Sequence, residues 1–216
     1  MRTGIVLAGG RSSRFGGDKL AAELDGRSLL ASAVAAVAPL VDGVLVAAPR
    51  PPESLLEAAV ADVPVTLVHD RDPFAGPLAG LVNALDTAVD PDPVADLAIV
   101  VGGDMPRLVP AVLRSMLDRL AADPTIDAVL LGRPQSLVDT ERQPPRRAVL
   151  PLAVRVRAAT RAAAEAIDSD DRSLQALVER LAHVEIPPAV WLPLDPGANT
   201  LLDVDTAGDL ERIRRR

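Results

Sequence analysis

The chain has 216 residues, of which 49% are hydrophobic and 25% charged, so it is long enough for one α/β domain with a full core. Its formal net charge is −7 and its arginines are scattered, which argues against nucleic acid as a partner because a polyanion-binding surface needs a basic patch. The absence of cysteine from the sequence excludes disulfides, thiolate catalysis and cysteine-based metal sites.

No segment of the sequence predicts a membrane span or a secretion signal. The first residues, MRTGIVLAGG, hold only a few apolar side chains before two glycines, and no later run approaches the roughly 18 apolar residues that a transmembrane helix needs. We therefore expect a cytoplasmic protein that makes no membrane contact. As a separate expectation, the protein is a monomer or a weak homo-oligomer.

Short aliphatic runs alternate with Ala- and Leu-rich stretches along the first 131 residues. Strands that are covered on both faces are continuously apolar, as these runs are, and the stretches between them are long enough for helices. In chain order, the predicted elements are a strand at 3–8, a helix at 28–38, a strand at 43–48, a helix at 53–61, a strand at 63–68, a helix at 77–88, a strand at 97–101, a helix at 108–121 and a strand at 127–131. The alternation predicts an α/β fold of three layers, αβα, with a Rossmann-like, mostly parallel sheet.

The pattern weakens in the last third of the chain, where a polar, Pro-rich stretch predicts a long loop. The predicted elements there are the loop at 132–147, a strand and a helix within 148–167, a helix at 173–182, a strand at 183–186, an irregular segment at 190–205 and a helix at 206–215. No break in composition requires a second domain, so residues 1–216 are predicted to form a single one.

The segment LAGGRSSRFGGDKL follows the first predicted strand, at the edge where the loops of parallel sheets bind ligands. Its four glycines let backbone N–H groups approach an anion, while serines, two arginines and Lys19, the only lysine in the chain, add donors and positive charge. The spacing matches neither a Walker A loop nor G-x-G-x-x-G. A flexible surface loop is the alternative, but the concentration of glycines, hydroxyls and cations favours a phosphate-binding loop.

Two acidic loops follow later predicted strands. Asp104, in VVGGDMP, is placed either to ligate Mg²⁺ or to cap the helix that comes next. In HDRDPFAGPLAG, Asp70 or Asp72 is a candidate for a hydrogen bond to a base or ribose, and Gly76 and Gly80 would give the ligand close access. An acidic loop that favours the following helix dipole is the alternative for this second loop.

Three other polar residues are interpreted as having structural roles. Asp205, in DVDTAGDL, precedes the closing helix and is placed to serve as its N-cap. His69 and His183 are far apart in the sequence and are interpreted as structural rather than as a metal site.

Four motifs together resemble a known family. LAGGRSSRFGGDK resembles the LAGG-x-S-x-R-x-G-x-DK signature of the molybdenum cofactor guanylyltransferases and related nucleotidyltransferases. GPLAGL and GGDMP resemble the second and third motifs of that family, and DVDTAGDL is similar to its closing N/D-x-N/D-T-P-E-D-L. The resemblance implies a fold of the nucleotide-diphospho-sugar transferase type, with a nucleotide-binding half at 1–110 and an acceptor-binding half at 111–216.

The resemblance also implies a reaction, namely transfer of GMP from GTP to a phosphorylated small molecule, molybdopterin, with Mg²⁺ as cofactor and release of pyrophosphate. LAGG rather than LAAG favours GTP over CTP. The implied catalytic residues are Lys19 at the α-phosphate, Arg14 at the triphosphate and Asp104 at the metal, with Asp205 as a further metal ligand. The implied nucleotide-binding residues are Leu7, Ala8, Gly9, Gly10, Ser12, Asp70 (or Asp72), Gly76 and Gly80.

The chain departs from the family pattern in the closing motif. Ala207 replaces its proline and Gly208 its first acid, and Asp203 and Asp205 replace asparagines found in many guanylyltransferases. Such aspartates resemble relatives that use other acceptors. Transfer of another nucleotide, or transfer to phospholactate or a sugar phosphate, is therefore an alternative, as are a nucleotide-sugar glycosyltransferase and a non-catalytic nucleotide-binding regulatory domain.

Overall fold

A computed structural model describes residues 1–9, 15, 18–49, 63–69, 76–88, 96–134 and 149–215. The strands in these ranges are β1 (Arg2–Leu7), β2 (Glu23–Leu24), β3 (Arg27–Ser28), β4 (Gly43–Ala48), β5 (Val65–His69), β6 (Leu97–Gly102), β7 (Ala128–Leu131), β8 (Leu152–Arg155) and β9 (His183–Ile186). The helices are α1 (Leu29–Val37), α2 (Pro77–Ala88), α3 (Pro110–Ala122), α4 (Val156–Asp168), α5 (Leu174–Glu179), α6 (Pro188–Trp191) and α7 (Ala207–Arg214). Of the helices described, none has the length and apolar character to cross a bilayer.

Seven strands form one sheet in the order β5-β4-β1-β6-β8-β7-β9. β5, β4, β1 and β6 are parallel neighbours, β7 and β9 are also parallel, and β8 runs antiparallel between β6 and β7. The chain fills one side of β1 with β4 and β5 before it crosses to β6 on the other side. The strand order therefore reverses between β1 and β6, which is where open α/β sheets bind ligands.

Helices cover both faces of this sheet. Successive strand residues point to opposite faces, so Val6 packs in the core beneath α1 and α3 while Ile5 packs in the core beneath α2 and α4. Fully buried side chains such as Leu81 and Leu113 anchor these helices, and each contributes roughly 1.5–3 kcal/mol by leaving water. The predicted three-layer, mostly parallel fold is confirmed.

A smaller apolar cluster lies beside the main sheet and joins parts that are distant in sequence. We call it the side cluster, and its buried members are Leu24, Leu29, Val204, Leu210 and Ile213. Phe15, from the glycine-rich segment, packs against it. The side cluster thus connects this segment with the β2–β3 hairpin and the C-terminal helix α7.

The bounds of several elements agree with the sequence prediction. The strands at 43–48 and 183–186 and the helix at 77–88 have the predicted limits. α3 begins two residues later than predicted, because Pro110 occupies its first turn and Val109 is the N-cap. The predicted helix at 53–61 and most of the predicted loop at 132–147 lie outside the described residues.

Candidate active site

The ends of β1 and β6 bring the first and third motifs together. Leu7 pairs with Gly102 in the parallel register, and just beyond them the backbone N–H of Gly103 donates to the carbonyl of Leu7 (2.9 Å). On the other side of β1, Ala8 donates to the Ala47 carbonyl (2.8 Å). The backbone that opens the glycine-rich segment is therefore fixed between two neighbouring strands at the switch point.

Lys19 lies at the centre of the site. It begins a 3₁₀ turn, Lys19–Ala21, whose N-cap is Asp18, with a side chain that accepts from the backbone N–H of Leu20 (3.0 Å). The Lys19 Nζ donates to Asp104 Oδ2 at 2.7 Å and to Asp205 Oδ1 at 3.3 Å. Only 15% of the Lys19 side chain is exposed, so the ammonium group is turned inward between the two carboxylates.

Two glycines position Asp104 after β6. A side chain at Gly102 would overlap Asp104 Oδ1, and one at Gly103 would crowd Leu20 (3.2 Å) and Leu30 (3.3 Å). Asp104 does not cap the following helix, since that helix begins at residue 110 with no side-chain cap. The helix-cap alternative is therefore wrong, and the carboxylate pairs with Lys19 instead.

Asp205 reaches the site from the other end of the chain. The backbone N–H of Val204 donates to the carbonyl of Asp104 (3.0 Å), which fastens residues 203–205 to the loop after β6. The interpretation of Asp205 as a helix cap is wrong, because Thr206 is the N-cap of α7 and forms a reciprocal capping box with Asp209. The Asp205 side chain takes no part in this cap and contacts Lys19 instead.

A buried aspartate holds the chain just before this segment. Asp195 is 2% exposed, and its carboxylate accepts from the Thr200 backbone N–H (2.7 Å) and from the Asn199 side chain (2.9 Å). The Thr200 hydroxyl oxygen in turn accepts from the backbone N–H of Val109 (3.2 Å), at the start of α3. The loops before α3 and before α7 are therefore fastened together at two points, which fixes the distance between Asp104 and Asp205.

The carboxylates around Lys19 shift its protonation and that of a neighbour. Burial opposes the charge on Lys19, but Asp104 and Asp205 outweigh that effect and raise its pKa above the ordinary 10.5. Asp203 is exposed at one side, but protein around its carboxyl group removes part of the water there. This desolvation raises the pKa of Asp203, and the negative charges of Asp205 and Asp104 raise it further. The ion pairs of the site thus join two acidic side chains, those of Asp104 and Asp205, to one ammonium.

Sequence reasoning did not select three residues that the structure ties to the site. Asp203 was noted as a departure from the closing motif but was given no role, Asp195 gave no signal because its partners are set by the tertiary fold, and Phe15 is a lone aromatic within a polar loop. For Phe15 a signal was available, because an apolar side chain inside the glycine-rich segment requires a packing partner.

The remaining predicted residues have mixed outcomes. Gly9 is exposed at the start of the glycine-rich segment, Gly76 adopts a φ of +103° before α2, and Gly80 is buried in the first turn of that helix. The histidines lie at opposite edges of the sheet, on β5 and β9, which is consistent with separate structural roles. The predicted residues outside the described ranges are Gly10, Ser12, Arg14, Asp70 and Asp72.

The described residues are suited to a divalent cation that takes its remaining ligands from a bound phosphate. Among them there is no group of three or more His, Cys, Asp and Glu side chains able to hold a metal alone. Mg²⁺ typically takes one or two carboxylates together with substrate phosphates and waters, and Asp104 and Asp205 supply two such carboxylates on either side of Lys19. The donor set therefore fits Mg²⁺ in the presence of a nucleotide.

Solved structures share this fold over the whole chain. Molybdopterin-guanine dinucleotide biosynthesis protein A from Archaeoglobus fulgidus superposes with a TM-score of 0.71 at 20% identity, over 100% of this chain and 97% of that one. The 2-C-methyl-D-erythritol 4-phosphate cytidylyltransferase from Thermus thermophilus gives 0.67 at 19% identity, over 100% and 98%. The fold is the αβα architecture of the nucleotidyltransferases.

Sequence comparison identifies the family within that class. The MobA-like NTP transferase domain matches residues 4–185, and the chain belongs to this family. A probable molybdenum cofactor guanylyltransferase from Chloroflexus aggregans is 34% identical over 99% of this chain and 94% of its own length. Another, from Natronomonas pharaonis, is 31% identical over 100% and 98%. The protein is therefore a nucleotidyltransferase, and the resemblance noted from its motifs is confirmed.

Proposed function

We propose that this protein is a magnesium-dependent guanylyltransferase that transfers GMP from GTP to molybdopterin and releases pyrophosphate. Two relatives that align over nearly the whole chain are named as probable molybdenum cofactor guanylyltransferases. Their coverage includes residues 111–216, which we assign to the acceptor. The proposal therefore has support beyond the nucleotide-binding half.

One observation carries the proposal, which is the contact of Lys19 with both Asp104 and Asp205 at the switch point of the sheet. An ammonium and two carboxylates, directly after a glycine-rich segment, combine the groups that a metal-bound triphosphate requires. Asp104 and Asp205 would hold Mg²⁺, which supplies charge neutralisation for the triphosphate when it is bound.

The reaction needs no nucleophile from the protein. A phosphate oxygen of the acceptor attacks the α-phosphorus of GTP in line, forming the new P–O bond. The bond from the α-phosphorus to the bridging oxygen breaks, and its electron pair leaves with pyrophosphate. Catalysis then depends on positioning and on charge stabilisation, for which Lys19 is placed to meet the α-phosphate.

The other residues of the motifs have roles in holding the nucleotide. The backbone of residues 8–10 would bind the base and ribose, and the Arg14 guanidinium would bind the triphosphate. Asp70 or Asp72 would accept a hydrogen bond from the nucleotide, just before the segment that holds Gly76 and Gly80. Leu7 fixes the start of this segment through its backbone pairing with β6.

The direct test is pyrophosphate release from GTP, ATP and CTP, each with and without molybdopterin. We expect release that requires Mg²⁺ and molybdopterin and that is fastest with GTP. Faster release with CTP would instead identify a cytidylyl transferase. Magnesium-dependent GTP binding without turnover on any acceptor would contradict the enzymatic proposal and favour a regulatory nucleotide-binding domain.

A further inference from the structure

The Lys19 ammonium contacts the oxygens that the proposed metal would use. Its Nζ lies 2.7 Å from Asp104 Oδ2 and 3.3 Å from Asp205 Oδ1. The contact with Asp104 is partly buried, since 15% of the Lys19 side chain and 27% of the Asp104 side chain are exposed, whereas 60% of the Asp205 side chain is exposed. The ammonium therefore already offsets one of the two negative charges to which a divalent cation would be attracted.

The surrounding charges make this neutralisation important for the site. Asp203, two positions before Asp205, adds a further negative charge to the same segment. The neighbouring cation on the loop after β6, Arg107, pairs instead with Asp25 on the β2–β3 hairpin (2.8 Å). Within the described residues, Lys19 is the cation that forms ion pairs with Asp104 and Asp205.

We infer that Lys19 is a positioning residue for Asp104 and Asp205 as well as a phosphate ligand, and that it competes with the divalent cation for them until a triphosphate binds. The inference rests on the proposed function. A positive charge at hydrogen-bond distance from both carboxylates repels an incoming divalent cation and blocks the oxygen lone pairs that it needs. When the α-phosphate arrives, the ammonium exchanges its carboxylate partners for phosphate oxygens. The metal and the nucleotide therefore bind together, and the cation alone binds weakly.

The test is the affinity of the protein for Mn²⁺, used as a probe and measured by electron paramagnetic resonance in the absence and presence of GTP, with Mn²⁺ and GTP without protein as the reference because GTP itself binds Mn²⁺. Without GTP, we expect Lys19→Met to bind Mn²⁺ about tenfold more tightly than the wild type, because a charged hydrogen bond no longer has to be broken. With GTP, we expect the wild type to gain at least tenfold in Mn²⁺ affinity and the variant to gain less. A merely structural role of Lys19 would change the affinity in the opposite direction, since a disordered site binds the cation more weakly.

Three matched variants control the measurement. Arg119→Met also removes one positive charge, but from an exposed pair with Asp123 on α3, and should leave Mn²⁺ affinity unchanged. Lys19→Gln retains a hydrogen-bond donor without charge and should behave like the methionine variant. Adding Asp104→Asn to Lys19→Met should abolish the gain. Fluorescence of the buried Trp191 reports whether each variant is folded.

The outcomes separate this inference from the proposed function. If wild type binds Mn²⁺ with GTP but folded Lys19→Met shows no tighter binding without it, the competition is refuted while the magnesium-dependent transfer stands. If Lys19→Met does not fold but Lys19→Gln does, the Mn²⁺ affinity of Lys19→Gln without GTP decides between the same two outcomes. Failure of the wild type to bind Mn²⁺ even with saturating GTP would overturn both.

Discussion

Asp104 provides the acidic oxygen closest to Lys19, at 2.7 Å, and Asp104→Asn tests its charge without changing its size. We expect turnover in the pyrophosphate assay to fall by about 10²-fold or more, as for other lost electrostatic contacts at reacting phosphates or oxyanions. Asp118→Asn is the control, since Asp118 pairs with Arg2 near the start of β1, and it should keep its activity. Near-normal turnover of Asp104→Asn would show that Asp104 is not a catalytic residue.

Gly102 is predicted to act through Asp104. Its missing side chain leaves the space into which Asp104 Oδ1 folds, so Gly102→Ala would push the carboxylate away from Lys19. We expect a small loss in the free energy of unfolding, because the end of the Asp104 side chain has to move and the buried Met105 (Cγ at 3.3 Å) has to shift slightly, while turnover falls about tenfold or more. Gly43→Ala, whose new carbon would lie 3.6 Å from its nearest neighbour, is the control. Equal turnover of the two variants would refute this role.

Lys19 should also leave a signature at alkaline pH. Its folded-state pKa is raised above 10.5, so its ion pairs stabilise the protein at pH values below 10.5 and lose that effect as the pH rises through the folded-state value. We expect the difference in free energy of unfolding between wild type and Lys19→Met to be constant from about pH 7 to 9.5 and to shrink at higher pH. Urea unfolding at a series of pH values measures it. A difference that shrinks already between pH 7 and 9 would contradict the raised pKa.

At the scale of elements, the start of α7 sets the position of Asp205. Asp209 accepts from the backbone N–H groups of Asp205 (3.1 Å) and Thr206 (2.7 Å), while the Thr206 hydroxyl accepts from the Asp209 backbone. Hydrogen bonds from Thr206 keep the pKa of Asp209 below its usual value despite the opposing effect of burial. The helix cap and the backbone of Asp205 are thus one hydrogen-bonded unit.

Thr206→Ala tests this unit. We expect a loss of about 1 kcal/mol in the free energy of unfolding, typical of a lost N-cap, and a fall in turnover because Asp205 is less well held. Thr125→Ala removes the same atoms from a turn before β7, where the Thr125 hydroxyl donates to Asp123 (2.6 Å). That turn lies at the amino edge of the sheet, opposite the site, so this control should lose stability without losing activity. If the two variants had the same turnover, the coupling of cap and site would be refuted.

At the scale of the whole molecule, ligand binding at the sheet edge should stabilise the entire fold. The site takes residues from the ends of β1 and β6, from the 3₁₀ turn and from the segment before α7, so unfolding any of these parts destroys it. At 100 times its dissociation constant, GTP with Mg²⁺ should add about 2.7 kcal/mol to the free energy of unfolding. Thermal unfolding followed by Trp191 fluorescence measures the shift. Equal shifts with GTP, ATP and CTP at the same concentration would contradict the preference for guanine.

The elements with sharp boundaries in the sequence were predictable because local chemistry sets their ends. α2 begins at Pro77, where the missing N–H costs nothing, and β4 ends before Pro49, which cannot continue a strand. β8 was predicted only as part of a strand-and-helix stretch. Its antiparallel place between β6 and β7 follows from pairing between distant strands, which no local pattern encodes.

The sequence by itself determined the layered fold and pointed to Lys19 in the glycine-rich segment, because aliphatic runs and a glycine-rich segment with one lysine are local signals. Only the tertiary structure decided which acids meet that lysine. Asp104 is 85 positions from Lys19 and Asp205 is 186 positions away, and for each the sequence also allowed a role as a helix cap. Strand order and the fastening of the last loop to α3 brought them together, and such long-range contacts depend on packing of the whole chain rather than on any short sequence.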